Sequence, residues 1–263
     1  MRRLPLFQID AFAERPFTGN PAAVMPLEQW LPDDVMQAIA AENNLSETAF
    51  FVREGSGYRI RWFMPVGEID LCGHATLASA FVVLTELEPG KDQVEFASQS
   101  GPLTVTREGN RFCLDFPMRA PNPVPCPAGL AEALGAPVKE AWLTRDLFAL
   151  LEDEATVRDL KPDMEALSRL EPTSFVVTAR GTDCDFVSRC FGPREGIPED
   201  PVTGSTHCVL VPYWAQRLGK TMLQARQLSK RGGELLCELR GDRVKIAGKA
   251  LKVIEGSLFL DLA

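Results

Sequence analysis

Leu45-Ser-Glu-Thr-Ala-Phe-Phe-Val52 reappears, altered, as Leu170-Glu-Pro-Thr-Ser-Phe-Val-Val177, with Thr48 meeting Thr173 and Phe50 meeting Phe175 at a spacing of 125 residues (173 − 48). Further along, Phe63-Met-Pro65 returns as Phe191-Gly-Pro193 and Ser98-Gln-Ser-Gly101 as Ser229-Lys-Arg-Gly232, at spacings of 128 (191 − 63) and 131 (229 − 98). Matches in one order at one long spacing read as a single domain present twice, whereas a period of about 20 to 50 residues would have meant a solenoid. Two pseudo-symmetric halves imply a cleft between them.

The local patterns fit this duplication. Tyr58 to Phe63, Leu103 to Thr106 and Arg111 to Phe116 alternate apolar and polar as half-buried strands do, and Gly233 to Leu239 and Arg243 to Ile246 are their copies. Leu31-Pro-Asp33 and Lys161-Pro-Asp163 each open a helical pattern. Ala75 to Leu84 is apolar nearly all round, which predicts a helix buried on every side, with Thr206 to Trp214 as its counterpart and Pro212 as a kink or break. The proline-rich run from Pro117 to Pro127 has the composition of an extended linker and sets domains of 1–118 and 119–249.

Composition narrows the function classes. The chain has 263 residues, 45% hydrophobic, and a net charge of −8 without a cluster of Lys and Arg to track phosphates, so no nucleic-acid partner is expected. The opening stretch is broken by Pro5 and Gln8 and ended by Asp10, too short for a signal peptide, and no run approaches the roughly 20 apolar residues of a membrane span. A cytoplasmic protein without a membrane partner is expected. Seven scattered cysteines without paired spacing read as small buried hydrophobes.

Chemistry concentrates at a few positions. Leu71-Cys-Gly-His-Ala75 and Glu199-Asp-Pro-Val-Thr-Gly-Ser205 are glycine turns, one before each buried helix, and the free N–H groups of a helix start make a seat for a carboxylate. The two histidines, His74 and His207, both fall in these segments; His74 suits contact with a substrate, whereas His207 suits packing in the core. Too few ligands stand at the right spacing for a metal, so none is assigned. Glu47 heads the apolar strand Thr48-Ala-Phe-Phe-Val52, and its match in the second copy is Pro172, so one half alone supplies a proton-carrying group. A carboxyl taken into an apolar cleft holds its proton closer to neutral pH, which suits a group that both takes and returns one. An Asn44 to Glu47 capping pair is the plain alternative.

Arg15-Pro-Phe-Thr-Gly-Asn-Pro-Ala-Ala-Val24, Asn44-Leu-Ser-Glu-Thr-Ala-Phe50, Leu71-Cys-Gly-His-Ala-Thr76 and Glu199-Asp-Pro-Val-Thr-Gly-Ser205 together resemble the PhzF-like phenazine-biosynthesis family over nearly the whole chain. The resemblance implies an α+β, diaminopimelate epimerase-like fold: two domains, each a curled, mostly antiparallel sheet around a central helix, with a C-terminal strand at about 250–263 returning to the first. It implies an isomerase without cofactor or metal, acting as a homodimer on a small carboxylic acid such as a dihydro-hydroxyanthranilate. Glu47 would carry the proton, with His74, Asp200 and Ser205 in supporting roles. Asn20, Gly73, Thr203 and Gly204 would bind substrate, the two glycines through their backbone.

Two other readings stay open. Racemases with this fold use one cysteine from each half; Cys72 is placed for one, and its helix-start position can lower a thiol's pKa, but the second turn offers no partner because Cys208 lies beyond it. A non-catalytic binding module on the same fold is the third, since fold alone does not fix function.

Overall fold

Short apolar-polar alternations lay down most of this chain as strands. The computed structural model describes residues 1–261, and the chain divides into two compact units, Met1–Asp115 with the chain from Ala247 onward, and Phe116–Ile246. The first unit runs β1 (Arg2–Ala11), β2 (Asn20–Leu27), α1 (Asp33–Asn43), β3 (Glu47–Glu54), β4 (Gly57–Met64), β5 (Gly67–Ile69), α2 (Gly73–Val82), β6 (Gln93–Ser98), β7 (Gly101–Glu108) and β8 (Arg111–Pro117). The second continues with β9 (Asn122–Val124), α3 (Leu130–Leu134), β10 (Glu140–Leu143), β11 (Leu147–Leu150), α4 (Glu154–Asp159), α5 (Met164–Ser168), β12 (Phe175–Arg180), β13 (Phe186–Gly192), β14 (Ile197–Asp200), α6 (His207–Leu218), β15 (Met222–Gln227), β16 (Gly233–Arg240) and β17 (Arg243–Gly248). β18 (Ala250–Leu260) then pairs antiparallel along β1, from Ala11↔Ala250 to Arg2↔Leu260.

The duplication is written in the ladders. In the first unit β1–β2 is antiparallel, β2–β3 parallel, β3–β4 and β4–β5 antiparallel, β4–β6 parallel and β6–β7 antiparallel. In the second, β10–β11, β11–β12, β12–β13, β13–β14, β13–β15 and β15–β16 repeat that series pair for pair. An ion pair repeats too: Arg61 grips Glu68 through both nitrogens and lies 5.1 Å over the Phe63 ring, while Arg189 grips Glu199 and lies 5.0 Å over Phe191.

These anchors correct one match. Thr48 pairs with Phe63 and Phe175 with Phe191, so the residue equivalent to Glu47 is Ser174 and not Pro172. A slide of two residues keeps every side chain on its face, so the letter pattern reads equally well in either register.

Alternation also decides what each strand buries. Phe50 and Val52 of β3 pack with Met25, Leu27, Met36 and Ile39 under α1. Phe51 turns the other way and meets Tyr58 and Phe96 edge-on. Strands β1, β2, β3 and β7 wrap α2, which is buried from His74 to Val82 except at Phe81. This helix starts two residues before the expected Ala75 and passes into a π-helical turn at Val83–Leu87. Its hydroxyls survive burial by bonding back one turn: Thr76 donates to the Cys72 carbonyl and Ser79 to that of Ala75.

Of the kink or break expected at Pro212, the break is absent: α6 runs on through it to Leu218. Proline has no N–H for the carbonyl four residues back, Cys208, and the Arg119 N–H takes that carbonyl at 3.0 Å instead. The expected linker likewise contributes structure, since β9 within it pairs with β10. Among the described residues no helix is long and apolar enough to cross a membrane.

Candidate active site

Asn20 and Glu47 open neighbouring parallel strands, with Ala22 of β2 paired to Glu47 of β3. Asn20 is set at its strand end by Gly19, whose φ is +70° and where a Cβ would lie 2.2 Å from the Ala11 carbonyl oxygen. The preceding loop is pinned by the Phe17 N–H, which donates to buried Asp10 at 2.8 Å. Glu47 follows the tight exit of α1, where Asn44 takes the left-handed conformation of a helix end and so does not form the alternative capping pair. Gly73 and His74 are the first two residues of α2, and Cys72 precedes them at the cap.

These placements bring Asn20, Glu47, Cys72 and His74 together inside the first unit. His74 Nε2 lies 3.1 Å from Glu47 Oε2. The two atoms face each other without the alignment of a full hydrogen bond, and neither has another hydrogen-bond partner among the described residues. On the ring's other side Asn20 Nδ2 stands 3.2 Å and Cys72 Sγ 3.5 Å from Nδ1. In the neutral ring, with the Asn20 amide assigned as donor, Nδ1 accepts and the N–H sits on Nε2 toward the carboxylate; protonation of the ring places an N–H on both nitrogens. Glu47 is 8% exposed and is not the solvated glutamate that composition alone would favour.

Charge and burial compete at this cluster. Burial alone would lower the pKa of His74, but the adjacent Cys72 sulfur and Glu47 carboxylate outweigh it and hold it well above the usual imidazole value. Burial first, and then the Glu47 charge, push the Cys72 thiol up, with His74 and the Ala75 N–H opposing. The lowered, reactive thiol that a helix-start cysteine suggests is therefore absent here, because desolvation exceeds the helix's pull.

The other expected residues form a separate cluster inside the second unit. Thr203 Oγ1 donates to Asp200 Oδ2, and Gln227 Nε2 donates to the Asp200 carbonyl at 2.8 Å and to Thr203 Oγ1 at 3.1 Å. The Thr203 N–H closes the net on Gln227 Oε1 at 2.8 Å. Ser205 lies half-buried in the turn after Gly204, which accepts the His207 N–H at its carbonyl. His207 opens α6 fully buried, donates from Nδ1 to the Thr203 carbonyl at 2.9 Å, and burial lowers its pKa to about 4, so it is a neutral packing residue.

With Gly73 matched to Gly204, Thr203 stands where Cys72 does and Ser205 where His74 does, each 131 residues on (204 − 73). The second copy of the Glu47, Cys72, His74 set is thus Ser174, Thr203 and Ser205. No second thiol occupies the turn. Cys208 sits within α6 with burial raising its pKa to about 12. Gln227 escaped sequence reading, since a glutamine ending a strand looks like any surface polar residue until its burial is seen. The Glu47, Cys72 and His74 ligand atoms also lie within 4.8 Å of one another, the one such grouping among the described residues.

The chain matches the phenazine biosynthesis-like protein family (PhzC-PhzF) over residues 9–256. It is 52% identical over 257 residues to an uncharacterized isomerase of Pseudomonas aeruginosa, covering 98% of this chain and 99% of that one. A crystal structure of a phenazine biosynthesis protein of the PhzF family from Enterococcus faecalis superposes with a TM-score of 0.96 at 51% identity, covering 98% of this chain and 100% of that one. A hydroxyproline epimerase from Agrobacterium vitis shares the fold alone, with a TM-score of 0.62 at 10% identity over 98% of this chain and 92% of its own.

Proposed function

The chain belongs to the phenazine biosynthesis-like (PhzC-PhzF) family, is an isomerase, and we propose that it moves a proton between two carbons of a small carboxylic acid with Glu47 as general acid and base. The observation that carries this is the buried Glu47 Oε2 standing 3.1 Å from His74 Nε2. Glu47 as carboxylate removes a proton from one carbon, becomes the neutral acid, exchanges its proton with solvent, and delivers a proton to another carbon, so the enzyme ends as it began. His74 steadies the carboxylate between turnovers and yields as the carboxyl becomes neutral. Asn20 holds the ring so that Nε2, and not Nδ1, faces Glu47. This chemistry calls on no cofactor or resident metal.

Substrate binding is supported by the helix starts. In α2 the first backbone bond runs from the Thr76 N–H to the Cys72 carbonyl, so the N–H of Gly73 lies ahead of the helical ladder and suits a carboxylate. Gly204 offers the equivalent group, and Asp200, Thr203 and Ser205 are assigned to orient the substrate or exchange its hydroxyl and amine protons. A dihydro-hydroxyanthranilate or a related ring acid fits this set, and the family resemblance makes a homodimer the expected assembly. The test is a panel of dihydroaromatic and amino acids incubated with the protein in deuterated water. Deuterium entering carbon positions of a dihydroaromatic acid supports the reading, and none entering any member of the panel contradicts it.

A further inference from the structure

The acid-base cluster has a second property that proton transfer does not use. Glu47, Cys72 and His74 offer one carboxylate oxygen, one thiol sulfur and one imidazole nitrogen within 4.8 Å of one another, all three side chains buried. Glu47 Oε2 and His74 Nε2 have no well-formed hydrogen bond to each other or elsewhere among the described residues. Bond lengths of about 2.0 to 2.3 Å around a tetrahedral zinc ion set ligand atoms roughly 3.3 to 3.8 Å apart. The three ligand atoms, one per residue, lie within 4.8 Å of one another, so the side chains draw in by about 1 Å to close on an ion.

We propose that Glu47, Cys72 and His74 form a binding site for a borderline-soft divalent cation of the zinc class, and that the bound ion switches the enzyme off. Three protein ligands of mixed sulfur, nitrogen and oxygen type with the fourth position left to water or substrate match such an ion, while magnesium and calcium prefer all-oxygen sets. Asn20 fixes the ring from its Nδ1 side, as an outer partner of a metal-binding histidine does. On binding, the Cys72 thiol gives its proton to solvent and the sulfur ligates as thiolate. The ion then occupies the place between Glu47 and His74 through which the transferred proton passes. The binding half stands on geometry; the inhibition half rests on the proton transfer proposed above. In the second unit Ser174 and Thr203 put hydroxyls where zinc would want carboxylate and sulfur, respectively, so one ion per chain is expected.

The chelator-treated full chain is titrated with cobalt(II) and followed by absorption. One equivalent should bind with a thiolate-to-cobalt charge-transfer band, zinc should displace it, and Cys72→Ser should abolish the band and weaken binding by more than about 100-fold. Cys126→Ser, which removes an exposed thiol, should keep the band. Cys72→Ser and Cys72→Ala are both compared with wild type by near-ultraviolet circular dichroism, so that loss of the band is read only in a folded chain. Cobalt bound without the band, or a band that vanishes with Cys126, overturns the site. Carbon-bound deuterium exchange measured at one equivalent of zinc separates the two halves: loss of at least tenfold is expected, and an unchanged rate with the band present overturns the inhibition while leaving the ion's site in place.

Discussion

His74 Nε2 and Glu47 Oε2 stand 3.1 Å apart with side chains only 5% and 10% exposed, one from the first turn of a buried helix and the other from the head of a strand. Two such groups removed from water interact far more strongly than a surface pair, and either one left alone would be a costly buried charge.

From this pair follows the effect of changing its acid. Glu47→Gln keeps the shape and removes the proton carrier, so the isomerisation rate should fall by about 10² to 10⁴, the range removed with a general acid-base group. Steady-state kinetics on the substrate found in the panel should show the loss in kcat, with KM changed little. Cys72→Ser should keep the rate within about tenfold, since its thiol is held protonated by burial. A Cys72→Ser chain that is dead while Glu47→Gln is active would transfer the chemistry to the thiol.

The two histidines should oppose each other in stability against pH. His207 is pushed down to about 4 from an ordinary 6.5, so its neutral form favours the folded state. Stability from this group is complete above about 6.5 and is lost as pH falls toward 4, by roughly 3 kcal/mol. His74 is raised, so its contribution is complete below the unfolded value near 6.5 and fades as pH rises through the folded value. Urea unfolding between pH 4 and 8 should therefore show an acid-side decline that His207→Gln flattens and a decline above about 6.5 that His74→Gln flattens.

The repeated Arg-Glu grips should differ in weight. Arg189 is 9% exposed and donates both to Glu199 and to the carbonyls of Leu160 and Val157, at 2.9 and 3.2 Å. Arg189→Ala leaves these acceptors bare and should cost about 3 to 5 kcal/mol. Arg61 makes the equivalent bidentate pair nearer the surface, with Asp33 as an added partner, and Arg61→Ala should cost about 1 kcal/mol. Chemical denaturation of the two variants, run side by side, measures the difference; equal losses would mean the ion pair alone, and not its burial, sets the cost.

Gly19→Ala meets both a left-handed backbone and the Ala11 carbonyl. It should cost about 1 to 3 kcal/mol in thermal unfolding and reduce activity beyond that loss, because Asn20 would no longer be set against His74.

How far these features can be read from residues alone depends on how local their causes are. The duplicated glycine turns, the all-round apolar helices and a lone glutamate at the head of an apolar strand are local patterns, and each lies where its pattern points. Register is not local: the match of Glu47 to Pro172 kept the alternation and missed by two residues, and only the ladder and the Arg189 to Glu199 grip place Ser174 there. Pro212 reads as a helix kink or break because the residue that satisfies the Cys208 carbonyl, Arg119, lies far away in the chain. Gln227 is invisible for the same reason, its partners Asp200 and Thr203 being assembled by folding. The helix-start position of Cys72 is legible in the sequence, but the direction of its pKa depends on burial that no spacing reveals.

The central claim is that Glu47 itself carries the proton. Wild type and Glu47→Gln, incubated with the same dihydroaromatic acid in deuterated water, give the most direct test when deuterium at each ring carbon is followed by NMR. Exchange at both carbons in wild type, lost at both in a folded Glu47→Gln chain, is the predicted result; exchange that persists in Glu47→Gln at the wild-type rate would contradict it.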